Sequence, residues 1–267
     1  MSAIALTPLD LSLAALLVLV LAATTARLRL GATRSLIVSA LRMTVQLLLV
    51  GLVLRAVFAN TRLLWVALIA LVMLLVAGRE VMARQERRLT GWWGFGIGTS
   101  SMFVSSFALT ILALTVVVGP QPWYAPQYSI PLLGMLLGNT MNGIALSLDR
   151  LTQSAWEQRT VIEQRLMLGQ SRGEAIGDIQ RSSLRAGLTP MINAMAAAGV
   201  VSLPGMMTGQ ILAGSPPMEA VKYQLLIMFL ITAGCGFGAT AAIWFTSRRL
   251  FDQRQRLRIE RLRSGKG

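Results

Sequence analysis

Seven long apolar segments alternate with short polar connections along the chain. Each segment has few charged residues, and most are long enough to cross a hydrocarbon core about 30 Å thick at about 1.5 Å of helix rise per residue. The segments cover residues 9–26, 36–58, 63–78, 92–118, 130–148, 188–214 and 221–246. The pattern predicts an all-α integral membrane protein, a polytopic bundle of about seven transmembrane helices.

The composition agrees with a chain that lies mostly in lipid. Of its 267 residues, 54% are hydrophobic and 13% are charged, and the mean hydropathy is +0.62. A soluble domain needs more charge to cover its surface. The single cysteine, Cys235, and the lack of histidine exclude a disulfide framework and zinc sites of the cysteine–histidine type. No Lys or Arg precedes residues 9–26, so we expect a retained span there and no signal peptide.

The basic residues fall almost entirely on one side of the predicted membrane. Four connections hold 21 of the 25 Lys and Arg residues, and they are 27–35, 79–91, 149–187 and 247–267. Because cytoplasmic connections carry the excess of positive charge, we expect the N-terminus outside and the C-terminus in the cytoplasm. This placement accounts for the net charge of +14, so we expect no nucleic-acid partner.

The longest basic connection, 149–187, has an apolar periodicity of its own. Apolar residues recur at roughly helical intervals on both sides of a break near residues 169–173. They are Ile162, Leu166, Ile176, Ile179 and Leu184. An amphipathic helix of this kind either lies on anionic lipid or docks a soluble protein, and the periodicity leaves both open.

Part of this connection resembles the EAA loop by which ABC importer permeases contact their ATPases. Glu163 and Gly169 are six residues apart, and Ile179 follows ten residues later. Gln164 and Arg165 stand where the loop has two alanines, and its Leu-Pro ending is absent. The resemblance implies that ATPase coupling involves Glu163, Gly169, Glu174 and Ile179.

A closer resemblance covers nearly the whole chain. Residues 183–214, SLRAGLTPMINAMAAAGVVSLPGMMTGQILAG, and 217–229, PMEAVKYQLLIMF, are similar to the FetB-like (YbbM-type) iron-export ABC permeases. Residues 130–143, IPLLGMLLGNTMNG, resemble the same family, as does the second segment with Arg42 and Gln46. The family also includes plant aluminium-tolerance half-transporters.

The resemblance implies a permease subunit of the bacterial inner membrane that exports iron or a related metal species as a homodimer. A separate cytoplasmic ABC ATPase would bind ATP and Mg, and no cofactor is expected in this chain. The two lysines, Lys222 and Lys266, lack the spacing of the phosphate-binding motif GxxxxGK[ST], so we expect a transport subunit and no enzyme. Residues 1–267 would form a single permease domain with a coupling loop, 149–187, and a basic cytoplasmic tail, 247–267.

A secondary transporter that works without ATP is the alternative function. Such proteins commonly move protons through carboxylates within the membrane, and the predicted segments contain no Asp or Glu away from their ends. The sequence therefore favours the ATP-driven function. A hard cation would then lack carboxylate ligands in the pathway.

The candidate pathway residues are polar side chains within apolar segments. Asn139 and Asn142 share one face of the fifth segment, and Asn193 lies in the sixth. Buried amides either bond a neighbouring helix or line a wet cavity, and both remain open. Three roles remain open for Arg42. Its side chain extends to the cytoplasmic surface, forms a hydrogen bond with Gln46 or lines a cytoplasmic vestibule.

The outer half of the sixth segment contains Pro204 and Gly205. Proline removes a backbone donor and clashes with the preceding turn, so the helix is expected to kink or break there. The freed carbonyls, with Met206 and Met207, would form the outer gate of the pathway. Methionine sulfur binds soft metals but more commonly fills gaps in a core, so the metal ligands stay unknown.

Small residues four positions apart recur in the later segments. Small residues allow two helix backbones to approach closely. In lipid, where the hydrophobic effect does not drive helices together, association depends on such close packing. The pairs are Gly94/Gly98, Gly134/Gly138, Ala194/Ala198, Gly205/Gly209 and Gly234/Gly238.

Overall fold

The computed structural model describes residues 7–58 and 62–264, and these are mostly helical. The α-helices are α1 (Pro8–Arg27), α2 (Thr33–Phe58), α3 (Leu63–Ala83), α4 (Trp93–Met102), α5 (Ala108–Leu112), α6 (Pro126–Glu157), α7 (Arg159–Met167), α8 (Arg172–Ala197), α9 (Gly205–Leu212) and α10 (Pro217–Leu250). A π-helical segment, Phe103–Phe107, joins α4 to α5, and a second, Ala113–Val118, continues α5, so that Trp93–Val118 form one span. Two short antiparallel strands are β1 (Arg87–Leu89) and β2 (Leu262–Ser264), and a 3-10 turn, Ile259–Arg261, precedes β2.

Six helical spans in the described residues are long and apolar enough to cross a membrane. They are α1, α2, α3, the α4–α5 span, α6 and α10, and the prediction of a multi-pass α-helical membrane protein is confirmed. The predicted sixth segment is not one helix, because its first part is the end of α8 and its second part is α9. The count of seven crossings and the orientation of the termini stay predictions.

Two helices are much longer than the membrane is thick. With 32 and 34 residues, α6 and α10 are about 48 and 51 Å long at about 1.5 Å per residue. A hydrocarbon core takes up only about 30 Å of this length. Both helices are therefore longer than the core is thick, and their C-terminal ends, which adjoin the basic connections, support the other elements at that end of the bundle.

Helices α6, α8 and α10 cross at positions where the side chains are small. A Cβ added at Gly187 would lie 2.5 Å from the carbonyl oxygen of Gly143 and would collide with the Ser147 hydroxyl. The buried Cys235 of α10 lies at the same place, with its sulfur 3.7 Å from the carbonyl oxygen of Gly187. The backbones of α6 and α8 can therefore touch only because both positions are glycine.

Several of the predicted small-residue pairs also lie at helix contacts. A Cβ added at any of four glycines would come within 3.2 Å of a neighbouring side chain, and these are Gly98, Gly134, Gly234 and Gly238. Close packing therefore explains these four positions. Gly138, Gly205 and Gly209 have open space around them.

The first two helices form a hairpin at the side of the bundle. Between Thr33 and Arg55 no described side chain of α2 is buried, and Ala22 is the buried residue of α1. Its buried apolar contact with the bundle lies at its far end, where Val57 packs with residues of α3 and α6. Most of its apolar surface is left for lipid or another protein.

The residues after α10 fold back onto the basic end of the bundle, and we call residues 251–264 the C-terminal strap. Strand β2 pairs with β1, which places the buried Leu262 opposite the buried Leu89. Arg261 donates to the carbonyl oxygen of Arg249 at 2.7 Å. The sequence predicts only a basic tail here, whereas the tail has apolar residues to bury and is folded.

Candidate functional site

An ion pair joins α2 to α3 near the basic end of the bundle. The Arg42 guanidinium lies 2.8 Å from a Glu80 carboxylate oxygen, and the two side chains are 55% and 23% exposed. Arg42 precedes Phe58 at the end of α2 by 16 positions, and Glu80 follows Leu63 at the start of α3 by 17. Both residues are therefore about 24–26 Å along their helices from the α2–α3 turn, so they lie toward the opposite edge of a core about 30 Å thick.

The sequence pattern does not mark Glu80 as a partner of Arg42. The sequence predicts a third segment that ends at residue 78, which puts Glu80 in a connection, but α3 continues to Ala83. Gln46, one of the partners considered for Arg42, is exposed on α2. Arg42 and Glu80 are almost equally many residues away from the α2–α3 turn, so they lie at nearly the same depth along their helices. This count is the sequence signal from which the pair could have been predicted.

The connection between α3 and α4 is bound along one edge of α6. Arg84 donates to Oδ1 of Asn142, and the backbone N–H of Glu86 donates to the Asp149 carboxylate at 2.7 Å. Near the next turn, the Thr152 hydroxyl donates to a backbone carbonyl of β1 at 2.8 Å. Asn142 is therefore the first of three residues of α6 that hold this connection.

The other two candidate amides do not share the contact that Asn142 makes. The half-buried Asn139 donates to the carbonyl oxygen of Met135, one turn earlier in its own helix, at 2.8 Å. Asn193 is exposed on the face of α8 opposite the buried Met191. Among the described residues no hydrogen bond joins the three amides, and their place in a transport pathway stays a prediction.

The helix break predicted at Pro204 is present but begins earlier. Helix α8 ends at Ala197, and Gly199 has φ +85°, a conformation that glycine adopts at little cost. Its N–H donates to the carbonyl oxygen of Ser202 at 2.9 Å, which closes a turn. Pro204 is the N-cap of α9 and Gly205 its first residue. The glycine turn therefore ends α8, and the proline starts the next helix.

The methionines considered as soft ligands mostly pack in the core. Met191 is buried, and Met206 packs against the same apolar cluster of α6 and α10. Met207 is half-buried, and the Met195 sulfur accepts a hydrogen bond from Thr232 at 3.3 Å. Within residues 7–58 and 62–264, no three Cys, Asp or Glu side chains form a cluster of metal ligands. The core-filling interpretation is favoured, and the metal ligands stay unknown.

Helix α7 and the first half of α8 form a structure at the basic end that we call the α7–α8 platform. Ile162 of α7 and Ile176 and Ile179 of α8 are buried in the main core. Arg165 holds the two helices together, because it donates to a backbone carbonyl of α8 at 3.1 Å and lies 3.1 Å from Asp178. The apolar face that the periodicity predicts therefore packs on the bundle itself. Ile179 is part of this buried contact and anchors the platform to the core.

The tip of the platform is the tight turn between α7 and α8. Gly169 has φ +89°, and Ser171 and Glu174 form a reciprocal capping box at the start of α8. The hydrogen bond from the Ser171 hydroxyl, and then the one from its backbone N–H, hold the pKa of Glu174 below its ordinary value. Met167 and Leu168 are 79% and 84% exposed. The tip therefore presents two apolar side chains on a well-defined turn.

The C-terminal strap lies beside this tip. The backbone N–H of Arg172 donates to the side-chain oxygen of Gln255 at 3.0 Å. Asp252 holds the strap's own turn by accepting two backbone hydrogen bonds, which lower the pKa of its carboxyl. The strap and the platform line an open cleft of about 650 Å³. This contact could not be predicted from the sequence, because no local pattern marks the strap as folded.

Two of the four candidate coupling residues, Gly169 and Glu174, line this cleft. Glu163 is exposed on α7, and Ile179 is buried beneath the platform. The structure therefore brings Gly169 and Glu174 together at the tip. It separates them from Ile179, which touches the core and has no free surface to offer a partner.

Comparison with known proteins assigns the chain to a family. Residues 8–251 match the model of the Uncharacterised protein family (UPF0014). The chain is 38% identical over 221 residues to the UPF0014 membrane protein slr1647 of Synechocystis sp., which covers 82% of this chain and 83% of that protein. It is 29% identical over 260 residues to the "Probable iron export permease protein FetB" of Escherichia coli, which covers 95% of this chain and 96% of that protein. No solved structure matches the chain.

A plant relative agrees with these matches. The chain is 31% identical over 192 residues to the protein ALUMINUM SENSITIVE 3 of Arabidopsis thaliana, which covers 72% of this chain and 68% of that protein. The family match begins at the start of α1 and ends just after α10, so it includes all the spans found in the described residues. The resemblance seen in the sequence is confirmed, and the protein is a multi-pass protein of the bacterial inner membrane. The chain thus belongs to the UPF0014 family, as a membrane permease.

Proposed function

We propose that this permease is the membrane subunit of an ABC exporter for iron or a related metal species, driven by ATP hydrolysed on a separate cytoplasmic subunit. The observation that supports this most is the α7–α8 platform. A short helix joins the ends of two long helices, and its tip exposes Met167 and Leu168. A displacement of this tip passes directly into α6 and α8, the helices that it connects.

The ATPase docks on the tip of the platform and on the adjoining cleft. Gly169 and Glu174 shape this surface, and Glu163 lies exposed beside it on α7. Arg254 and Arg256 of the strap border the cleft. The complementary surface of the ATPase is therefore an apolar pocket with an acidic rim. ATP and Mg bind to that subunit and not to this chain.

The exporter contains two copies of this chain. Helix α8 exposes Arg185, Thr189 and Asn193 at intervals of four residues, which makes a polar stripe on one face. Polar side chains facing lipid are costly. The turn after α8 leaves Val200 and Val201 90% and 83% exposed, and irregular backbone is not tolerated against lipid. A second copy that meets the first at this face covers both features.

The metal passes along the face of α6 and α8, with the break at Pro204–Met207 as its outer gate. The cargo is inferred from the relatives, since the Escherichia coli protein is named for iron export and the Arabidopsis protein for aluminium sensitivity. Amide and carbonyl oxygens bind such hard cations weakly enough to release them. The amides of Asn139 and Asn142 and the carbonyls of the break offer these ligands.

The substitution Gly169→Pro tests the docking surface. Proline cannot adopt φ +89°, so the turn must change shape. The permease should insert normally, but the ATPase should no longer copurify and ATP-dependent efflux should fall. Gly31→Pro is the matched control, because Gly31 has φ +69° in the exposed α1–α2 turn. Normal copurification and stimulated ATP hydrolysis with Gly169→Pro would place the docking site elsewhere.

A further inference from the structure

A second cleft lies between the start of α8 and the end of α10. Its volume is about 240 Å³, and its polar lining comes from Arg172 and Gln180 of α8 and from Ser247 and Arg248 of α10. Its apolar wall comes from Ile176, Trp244 and Phe251. None of the lining residues is acidic, so the cleft carries a local positive charge.

Three polar groups of this cleft lack an ion-pair or hydrogen-bond partner. Within the part of the chain that the structure describes, the side chains of Arg172 and Arg248 form no ion pair. Ser247 is 4% exposed, and its buried hydroxyl has no hydrogen-bond partner among the described residues. A buried polar group without a partner costs free energy that a bound ligand removes. Two cations beside a buried hydroxyl favour a ligand that is an anion with several acceptor oxygens.

The geometry of Arg248 suits a phosphate. Its guanidinium carbon lies 3.8 Å above the ring of Trp244, one turn earlier in α10. Stacking fixes the plane of the guanidinium and leaves its N–H groups free at the edge. Such an edge binds a phosphate through two parallel hydrogen bonds. The phosphate then also lies within the field of Arg172.

The position of the cleft points to a lipid as the source of the phosphate. Trp244 and Phe245 are each 46% exposed on the surface of α10, close to its basic end. On the adjacent side, Arg249 lies 4.3 Å from the ring of Trp93. Tryptophan and arginine at the end of a spanning helix mark the headgroup level of a membrane. Basic pockets between spanning helices at this level bind anionic headgroups.

We propose that this cleft binds the phosphate of an anionic phospholipid such as phosphatidylglycerol. Arg172, Ser247 and Arg248 hold the phosphate, and the glycerol and acyl chains leave the cleft over Trp244 and Phe245. The bound lipid links the first turn of the platform helix α8 to the last turns of α10. This site does not depend on the identity of the cargo or on the ATPase.

Native mass spectrometry of the full-length chain in detergent tests the site. The chain should retain phosphatidylglycerol in preference to phosphatidylcholine, and Arg172→Gln with Arg248→Gln should weaken this retention at least about tenfold, since charge-assisted hydrogen bonds are lost. Arg27→Gln with Arg34→Gln is the matched control, because it removes the same charge from the same end of the bundle at α1 and α2. Unchanged retention in the first variant, or an equal loss in the control, would overturn the proposal.

Two further measurements identify the source of the bound phosphate and test a variant that should fold normally. Inorganic phosphate in excess should displace the lipid poorly, and displacement as effective as that by phosphatidylglycerol would show a site for free anions. Arg248→Lys keeps the charge but lacks the planar edge, so it should fold and should retain phosphatidylglycerol less well than the wild type. Retention equal to that of the wild type would overturn the role assigned to the stacked guanidinium.

Discussion

Gly187 is the position where the packing of the bundle should be most sensitive to one methyl group. In Gly187→Ala the added Cβ would lie 2.5 Å from the carbonyl oxygen of Gly143 and would collide with the Ser147 hydroxyl. Overpacking costs about 1–3 kcal/mol, whereas alanine is better than glycine in a helix by about 1 kcal/mol. Because one contact is with backbone, no rotamer change relieves it and the upper part of this range applies. We expect a net loss of about 2 kcal/mol in the free energy of unfolding.

Reversible unfolding in mixed micelles measures this loss against a matched variant. Gly138 lies in α6 with nothing within 4 Å of an added Cβ, so Gly138→Ala should be neutral or slightly stabilising. Adding Ser147→Ala to Gly187→Ala removes the hydroxyl collision and should recover part of the stability, but not all of it. Equal stability of Gly187→Ala and Gly138→Ala would mean that α6 and α8 do not touch at Gly187, and the described crossing would be wrong.

Three other changes test the site. Replacing Arg42 and Glu80 by Gln, singly and together, should show a coupling of up to about 1 kcal/mol, since the pair is partly exposed; additive effects would contradict the ion pair. Asn142→Leu should lower metal efflux and metal-stimulated ATP hydrolysis at equal abundance in the membrane, and normal efflux would show that this amide only holds Arg84. Ser171→Ala should raise the pKa of the Glu174 carboxyl toward its ordinary value and speed tryptic cleavage after Arg172, the first residue of α8, because the cap of α8 is lost; unchanged cleavage would contradict the capping role.

The sequence predicted the spans well and their ends poorly, for one physical reason. A long apolar stretch has few interpretations other than a membrane helix, so six of the seven predicted segments correspond to spanning helices. Apolar residues end where the lipid ends, but a helix continues until a cap or a turn stops it. Helix α3 therefore runs on to Ala83 and α6 to Glu157. Glu80, the partner of Arg42, lies in this extension of α3, beyond the predicted end of the third segment.

Other features depend on contacts distant in sequence. The strap pairs β2 with β1, and only the joint burial of Leu89 and Leu262 makes strands of these short segments. The break after α8 depends on Gly199, whose turn no apolar pattern marks, whereas Pro204 gave a signal nearby. Polarity alone was enough to select Asn142 as a candidate. Its bond to Arg84 could not be predicted, because it depends on the path of the α3–α4 connection.

Iron transport in proteoliposomes tests the central claim most directly. Vesicles are prepared with the permease and the ATPase that copurifies with it, and those whose ATPase faces the bath are used. Addition of ATP to the bath should drive iron into the lumen, and omission of either ATP or the ATPase should abolish this movement. Iron flux that is equally fast without ATP and without the ATPase would contradict the account and would assign the protein as a secondary transporter.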